Sequence, residues 1–178
     1  MKKTVIAAVR DSKILSSAIL DGVDTVFLLS TNIIELGSKV DEIHGYGKEI
    51  FVHADFADGI GKDRYGMEFI KKMGVDGVIS TRASVIKAAR EVGLKTVQRI
   101  FIVDSQSIET AVDSTRSSKP DMIEIMPGVV PKVISGMKAR TDIPIIAGGL
   151  VSDAFEVKAA IDAGAIAVST SSTELWTK

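Results

Sequence analysis

The chain has 178 residues, 46% of them hydrophobic and 25% charged, with a net charge of −1 and no cysteine. That length and composition fit one globular domain over 1–178. They exclude disulfide and thiolate chemistry and argue against a broadly basic nucleic-acid binder. The basic start is followed by only five apolar residues before Arg10 and Asp11, too few for a signal-peptide core. No run reaches the roughly 18 apolar residues of a membrane span, so a cytoplasmic protein with no membrane partner is expected.

Strand and helix patterns alternate from end to end. An apolar strand over 4–9 precedes a short helix over 12–20, closed by Asp21 and Gly22. A strand over 25–29 leads to Ser30 or Thr31 as the cap of a helix over 32–44. A strand over 49–54 runs into an irregular, glycine-containing stretch over 55–61, then a helix over 62–73 ended by Gly74. A strand over 77–80 precedes a helix over 84–92, closed by Gly93. A strand over 96–103 precedes a helix over 105–117. A strand over 122–126 is broken by Pro127 and Gly128, and a helix over 130–140 follows. A strand over 143–147, a helix, and a strand over 166–169 complete the pattern.

Eight strands, each followed by a helix or its start, predict a small (β/α)8 TIM-type barrel. The runs VFLL, IFV, GVI and PIIA are continuously apolar, as in a parallel sheet covered on both faces. The first βα turn, Val9-Arg10-Asp11-Ser12, lacks GxGxxG, which disfavours an open dinucleotide-binding sheet. Such barrels typically run to about 250 residues, so the outer helix ring is expected to be truncated or incomplete. Bare barrel wall would then predict a homo-oligomer.

The most informative stretch is 144–172, PIIAGGLVSDAFEVKAAIDAGAIAVSTSS. One strand ends in Gly148-Gly149 and the next runs into Thr170-Ser171-Ser172. Glycine lets a backbone N–H approach an anion closely, and the next helix N-terminus adds donors. In (β/α)8 barrels the loops after strands 7 and 8 are a frequent phosphate position. Gly148, Gly149, Thr170 and Ser171 are therefore candidate phosphate binders, against the plainer reading of a tight turn and an N-cap.

Other polar residues stand at strand ends that would face the same mouth. His53 and Asp55 are two apart and share a face, which suits acid/base work, a metal site or a hydrogen-bonded barrel mouth. Two ligand-type side chains without a third make a weak metal site, and no metal or cofactor is expected. Arg82 follows the fourth strand. Arg99 lies in the fifth and Glu124 in the sixth, where flanking Ile123 and Ile125 turn Glu124 inward. Arg99 and Glu124 form a natural buried ion pair. Arg82 and Lys132 are anion partners or solvated charges. Gly59, Gly61 and Gly66 make the loop after the third strand a candidate lid. No lysine sits inside a strand, which counts against a Schiff-base aldolase.

Four runs carry a resemblance: VHADFADGIGKDRYGMEFI (52–70), DGVISTRASVIKAAREVGLKTVQRIFIVDS (76–105), PDMIEIMPGVVPKVI (120–134), and IPIIAGGLVS with AGAIAVSTSSTELW (143–176). Together they closely resemble the glycerol uptake operon antiterminator family. The resemblance implies a barrel that has become a sensor rather than an enzyme. It would bind glycerol 3-phosphate, act on the leader mRNA of glycerol catabolic genes and prevent premature transcription termination. It implies the ligand phosphate at Gly148, Gly149, Thr170 and Ser171, with His53, Asp55, Arg82, Arg99, Glu124 and Lys132 at the glycerol end or the mouth. Two local basic groups offer an RNA face: one over 62–95, and one of Lys132, Lys138 and Arg140. Solvated helix surfaces explain both equally, and the few aromatics form no stacking platform visible in the sequence. Two rival readings remain: an enzyme on a phosphorylated three-carbon or sugar substrate, and a phosphate-ligand-binding module with no RNA partner.

Overall fold

The computed structural model describes residues 4–10, 15–20 and 22–177. Eight parallel strands close on themselves. In chain order they are β1 (Val5–Val9), β2 (Thr25–Leu28), β4 (Glu49–His53), β6 (Gly77–Ser80), β7 (Lys95–Phe101), β8 (Met122–Met126), β9 (Ile145–Gly148) and β10 (Ala167–Thr170). The first and last strands pair, Ala7 opposite Thr170, which seals the barrel. Helices α1 (Leu15–Leu20), α2 (Leu36–Gly45), α3 (Arg64–Lys72), α4 (Ala83–Glu91), α5 (Ser105–Ser118), α6 (Pro131–Lys138) and α7 (Ala154–Asp162) surround it.

Outward side chains such as Val52, Val78, Ile123 and Ala147 join the layer between strands and helices. Inward ones such as Phe27, Phe51, Ile79, Val97 and Ile146 form a second, central cluster. Apolar side chains thus lie on both faces of the sheet, which is why runs such as VFLL, IFV and GVI read as continuously hydrophobic. Aspartates cap three helices: Asp63 accepts from the Gly66 amide, Asp104 from Ser107 and Asp153 from Glu156. Each satisfies an amide that helical geometry leaves without a partner.

The ring is short, as the length implies. α1 has six residues, and after β10 comes a 3-10 turn, Thr173–Leu175, in place of an eighth α-helix. Trp176 fills that gap, fully buried, with its indole N–H donating to the Thr170 carbonyl at 3.0 Å. The outward residues Ala7, Val9 and Val168 are buried too. The 3-10 turn and Trp176 thus cover the barrel wall where the eighth helix would lie.

Two local expectations change. The helix expected over 32–44 starts later. Thr31–Asn32 form a short strand, β3, paired with β5 (Ala57–Asp58) from the stretch read as irregular. The Asn32 carboxamide accepts from the Ile34 and Glu35 amides and so holds the chain out of helical geometry until Glu35. The same pairing ties down the segment read as a lid. Ile33 donates to the Asp58 carbonyl at 2.9 Å, and Lys62 donates to the Ala57 carbonyl at 2.6 Å.

Candidate functional site

The inward positions at the C-terminal end of the barrel are polar. Glu124, wholly buried, accepts from Arg99 Nε at 2.6 Å through Oε2 and from the Ser169 hydroxyl through Oε1. Register explains the pair: Arg99 and Glu124 are directly opposed on β7 and β8. The pairing spans a water-poor barrel, where an uncompensated charge would be strongly destabilising. Gly148 makes room for it, since a Cβ there would stand 2.5 Å from Glu124 Oε1.

Above this layer lies a cavity of about 520 Å³. Its walls include Arg10, Arg99, Gly149, Ser152, Thr170 and Ser171. Arg99 reaches Glu124 through Nε alone, so its two terminal amino groups remain to face a guest. Among the described residues, no acceptor takes the amides of Leu150, Val151 or Ser171, which border the same space. Consecutive left-handed residues, Gly149 (φ 76°) and Leu150 (φ 65°), turn the backbone here. Thr170 ties the two loops together: its hydroxyl donates to the Val151 carbonyl at 2.6 Å and accepts from the Ser172 amide at 3.0 Å. The first turn of α7 is less available than its sequence suggests. Asp153 takes the Glu156 amide, and Glu156 in turn takes the Ser152 amide at 2.7 Å. An anion would therefore meet the turns themselves, the hydroxyls and Arg99.

His53 stands at the end of β4, 2% exposed, with neither ring nitrogen hydrogen-bonded. Phe56 stacks on it, ring centroids 4.9 Å apart. Burial, with Arg99 nearby, lowers its pKa to about 4, only partly opposed by Asp55. The imidazole is thus neutral and offers one donor and one acceptor to a guest. Asp55 is 3.7 Å from it and is held by the Ser80 hydroxyl at 2.8 Å and the Thr81 amide at 2.8 Å. Burial works to raise the Asp55 pKa, but these hydrogen bonds and His53 outweigh it and hold the carboxyl below its ordinary value. Among the described residues no group of three metal-ligating side chains forms.

The structure thus gathers His53, Asp55, Arg99 and Glu124 with Gly149, Thr170 and Ser171 at one mouth. Arg82 stays mostly exposed, its Nε 3.7 Å from Asp55. Gly148 lies in β9 beneath the cavity rather than lining it, and Lys132, exposed in the first turn of α6, does not line it either. Sequence reasoning passed over Arg10 and Ser169, which border the cavity. Arg10 directly follows the first strand, and its place there was the available signal.

Fold and site together define a (β/α)8 barrel whose mouth holds a cavity lined by Arg10, Arg99, Thr170, Ser171 and the Gly149–Ser152 turn. The family model described as "Glycerol-3-phosphate responsive antiterminator" matches residues 5–176, and the chain belongs to that family. It is 40% identical over 174 residues to the uncharacterized protein YgcP of Escherichia coli strain K12, covering 97% of this chain and 91% of that one. Among solved structures, it is similar to the glycerol uptake operon antiterminator regulatory protein of Listeria monocytogenes. The TM-score is 0.93 at 32% identity, covering 99% of this chain and 96% of the other. A glycerol uptake operon antiterminator-related protein of Thermotoga maritima gives 0.89 at 32% identity, with both chains covered in full. More remote barrels, an aldolase at 14% identity among them, share the fold alone. No helix among the described residues is long and apolar enough to cross a membrane.

Proposed function

We propose that this chain is a non-enzymatic sensor that binds glycerol 3-phosphate at the barrel mouth and, when occupied, acts on the leader mRNA of glycerol catabolic genes in the cytoplasm. The observation that carries the ligand is Arg99. Glu124 fixes its Nε, and its remaining donors border a cavity walled by hydroxyls and unpaired amides. A phosphate there gains charge-assisted hydrogen bonds without reorganising the site. Gly149, Thr170 and Ser171 supply the cradle, with Gly148 keeping Glu124 in place. His53 reads a glycerol hydroxyl, since its two ring nitrogens lack partners in the protein and a hydroxyl would remove the cost of leaving them so. Asp55 orients that end of the site, and Arg82 and Lys132 stand further out on the rim. Ligand shifts the protein toward the RNA-competent state by binding that state more tightly.

Calorimetric titration with glycerol 3-phosphate, glycerol and inorganic phosphate tests the ligand. Selective binding of glycerol 3-phosphate is expected, weakened at least about tenfold by Ser171→Glu, which sets a like charge against the phosphate. Equal binding of all three, or none, would reject the assignment.

A second reading draws on the neutral His53 beside Asp55, an arrangement that suits a general base. Turnover of a triose or glycerol phosphate, lost in His53→Ala, would replace the sensor with an enzyme.

A further inference from the structure

The large apolar side chains left exposed are not scattered. Among the described residues, all but Tyr46 and Ile166 lie at the end of a barrel strand, in the connection after one or in the first turn of a helix. Those connections share one end of a parallel barrel, so the exposed side chains crown the mouth. Three are phenylalanines on three separate connections: Phe56 (57% exposed) after β4, Phe101 (58%) ending β7 and Phe155 (79%) opening α7. Apolar surface concentrated in this way marks a partner.

The charges of the rim differ from those of the whole chain. Arg10 after β1, Arg82 just before α4 and Lys132 in the first turn of α6 are exposed cations at the same end of the barrel. The carboxylates of Asp63, Asp104 and Asp153 are committed to helix caps, leaving Asp58 and Glu174, among the described residues of the rim, as exposed acids outside caps and ion pairs. The basic groups singled out in the sequence are, by contrast, largely occupied. Lys71 donates to the Val92 carbonyl, Lys87 to Ser117, Arg90 to the Ser118 carbonyl, and Arg140 pairs with Glu109.

Beside Phe101 a second cavity, of about 450 Å³, opens between β7 and α5. Thr81, Gln98, Gln106 and Thr110 line it with amide and hydroxyl groups, and Arg99 borders both this cavity and the ligand cavity. Flat exposed rings, exposed cations and a polar slot beside one ring match unstacked bases and a phosphate backbone. A second protein copy would use the apolar area but leave the cations facing their own kind.

We infer that the rim of the barrel mouth is the surface that holds single-stranded RNA. Bases lie on Phe101 and Phe155, one base enters the slot beside Phe101, and Arg82 and Lys132 meet phosphates. This rests on the antiterminator reading and adds to it that ligand and RNA share one face, with Arg99 as the wall between them.

The test is fluorescence anisotropy with a labelled single-stranded RNA pool of random sequence and the same pool as duplex, at low salt with glycerol 3-phosphate. Phe101→Ala and Phe155→Ala should each weaken single-strand binding by about fivefold to a hundredfold. Both should keep the calorimetric affinity for glycerol 3-phosphate, which shows that they fold. Arg82→Ala should lower the salt slope by about one, and Lys71→Glu with Lys72→Glu should change little. Wild-type binding lost in the lysine variants but kept in the phenylalanine variants would overturn the rim and leave the antiterminator reading standing. RNA binding absent under every condition would overturn both, and self-association relieved by Phe155→Ala would then make the rim an interface between copies.

Discussion

Within the same eight strands, the inward side chains of the lower barrel and those of the upper barrel follow different rules. Below, Ile6, Phe27, Phe51, Ile79, Val97 and Ile146 pack as an apolar cluster. One residue pair higher, the layer becomes His53, Arg99, Glu124 and Ser169, all buried and all polar. The lower layer stabilises by removing apolar area from water. The upper layer stabilises little, because desolvation offsets most of what a buried ion pair gains. What it does present is polar groups at the floor of the cavity. The two layers thus differ in chemistry by one inward position along each strand, and the proposed ligand site draws on the upper one.

The separation can be broken most severely by a single cut in either layer. Phe51→Ala should cost about 3–5 kcal/mol in denaturant unfolding while leaving glycerol 3-phosphate affinity unchanged. Glu124→Leu should cost a similar amount, about 3–5 kcal/mol, by leaving the Arg99 charge buried alone, and should abolish binding. Arg99→Met combined with Glu124→Leu sharpens the contrast, since stability should return to near that of the wild type while binding stays lost. Recovery of both would show that the pair has no role in the ligand site.

Acid separates the layers next. The unfolded His53 takes up a proton as pH falls below 6.5, but the folded ring does not until about 4. Stability is therefore full above pH 6.5 and is lost as pH falls toward 4, by on the order of 3 kcal/mol. Asp55, also held below its ordinary value, adds to the loss at the acid end. Melting temperature against pH should show this slope, and His53→Gln should flatten it. An unchanged profile would mean that the ring is hydrated in solution.

A smaller effect is expected at the floor of the polar layer. Gly148→Ala crowds Glu124 Oε1 and Ser169 Oγ and should cost about 1–3 kcal/mol, weakening ligand as well. The smallest lies outside both layers. Lys119 ends α5 with a left-handed φ of 51°, so Lys119→Gly should raise stability by about 0.5–1 kcal/mol and leave binding untouched.

Much of this was legible in order along the chain. Glu124 could be placed inward from Ile123 and Ile125 because strand side chains alternate with period two. Gly149, Thr170 and Ser171 could be placed at the mouth because they terminate apolar runs. The start of α2 was misread because a side-chain turn at Asn32, rather than hydrophobic periodicity, decides it. Gly148 was read as a phosphate binder from the Gly148-Gly149 turn that ends an apolar strand. The approach of Glu124 to Gly148 comes from another strand and leaves no mark in its own segment.

The sequence by itself determined the alternation of strand and helix, the closed barrel and the identity of the polar strand ends, since these follow from local periodicity and turn chemistry. Only the tertiary structure decided that Arg99 and Ser169 both serve Glu124, that His53 is buried without a partner, and that Phe56, Phe101 and Phe155 crown one rim. The physical reason is closure. A parallel barrel brings every strand-to-helix connection to one end, so residues far apart in the chain become neighbours through register and curvature, which no local pattern encodes.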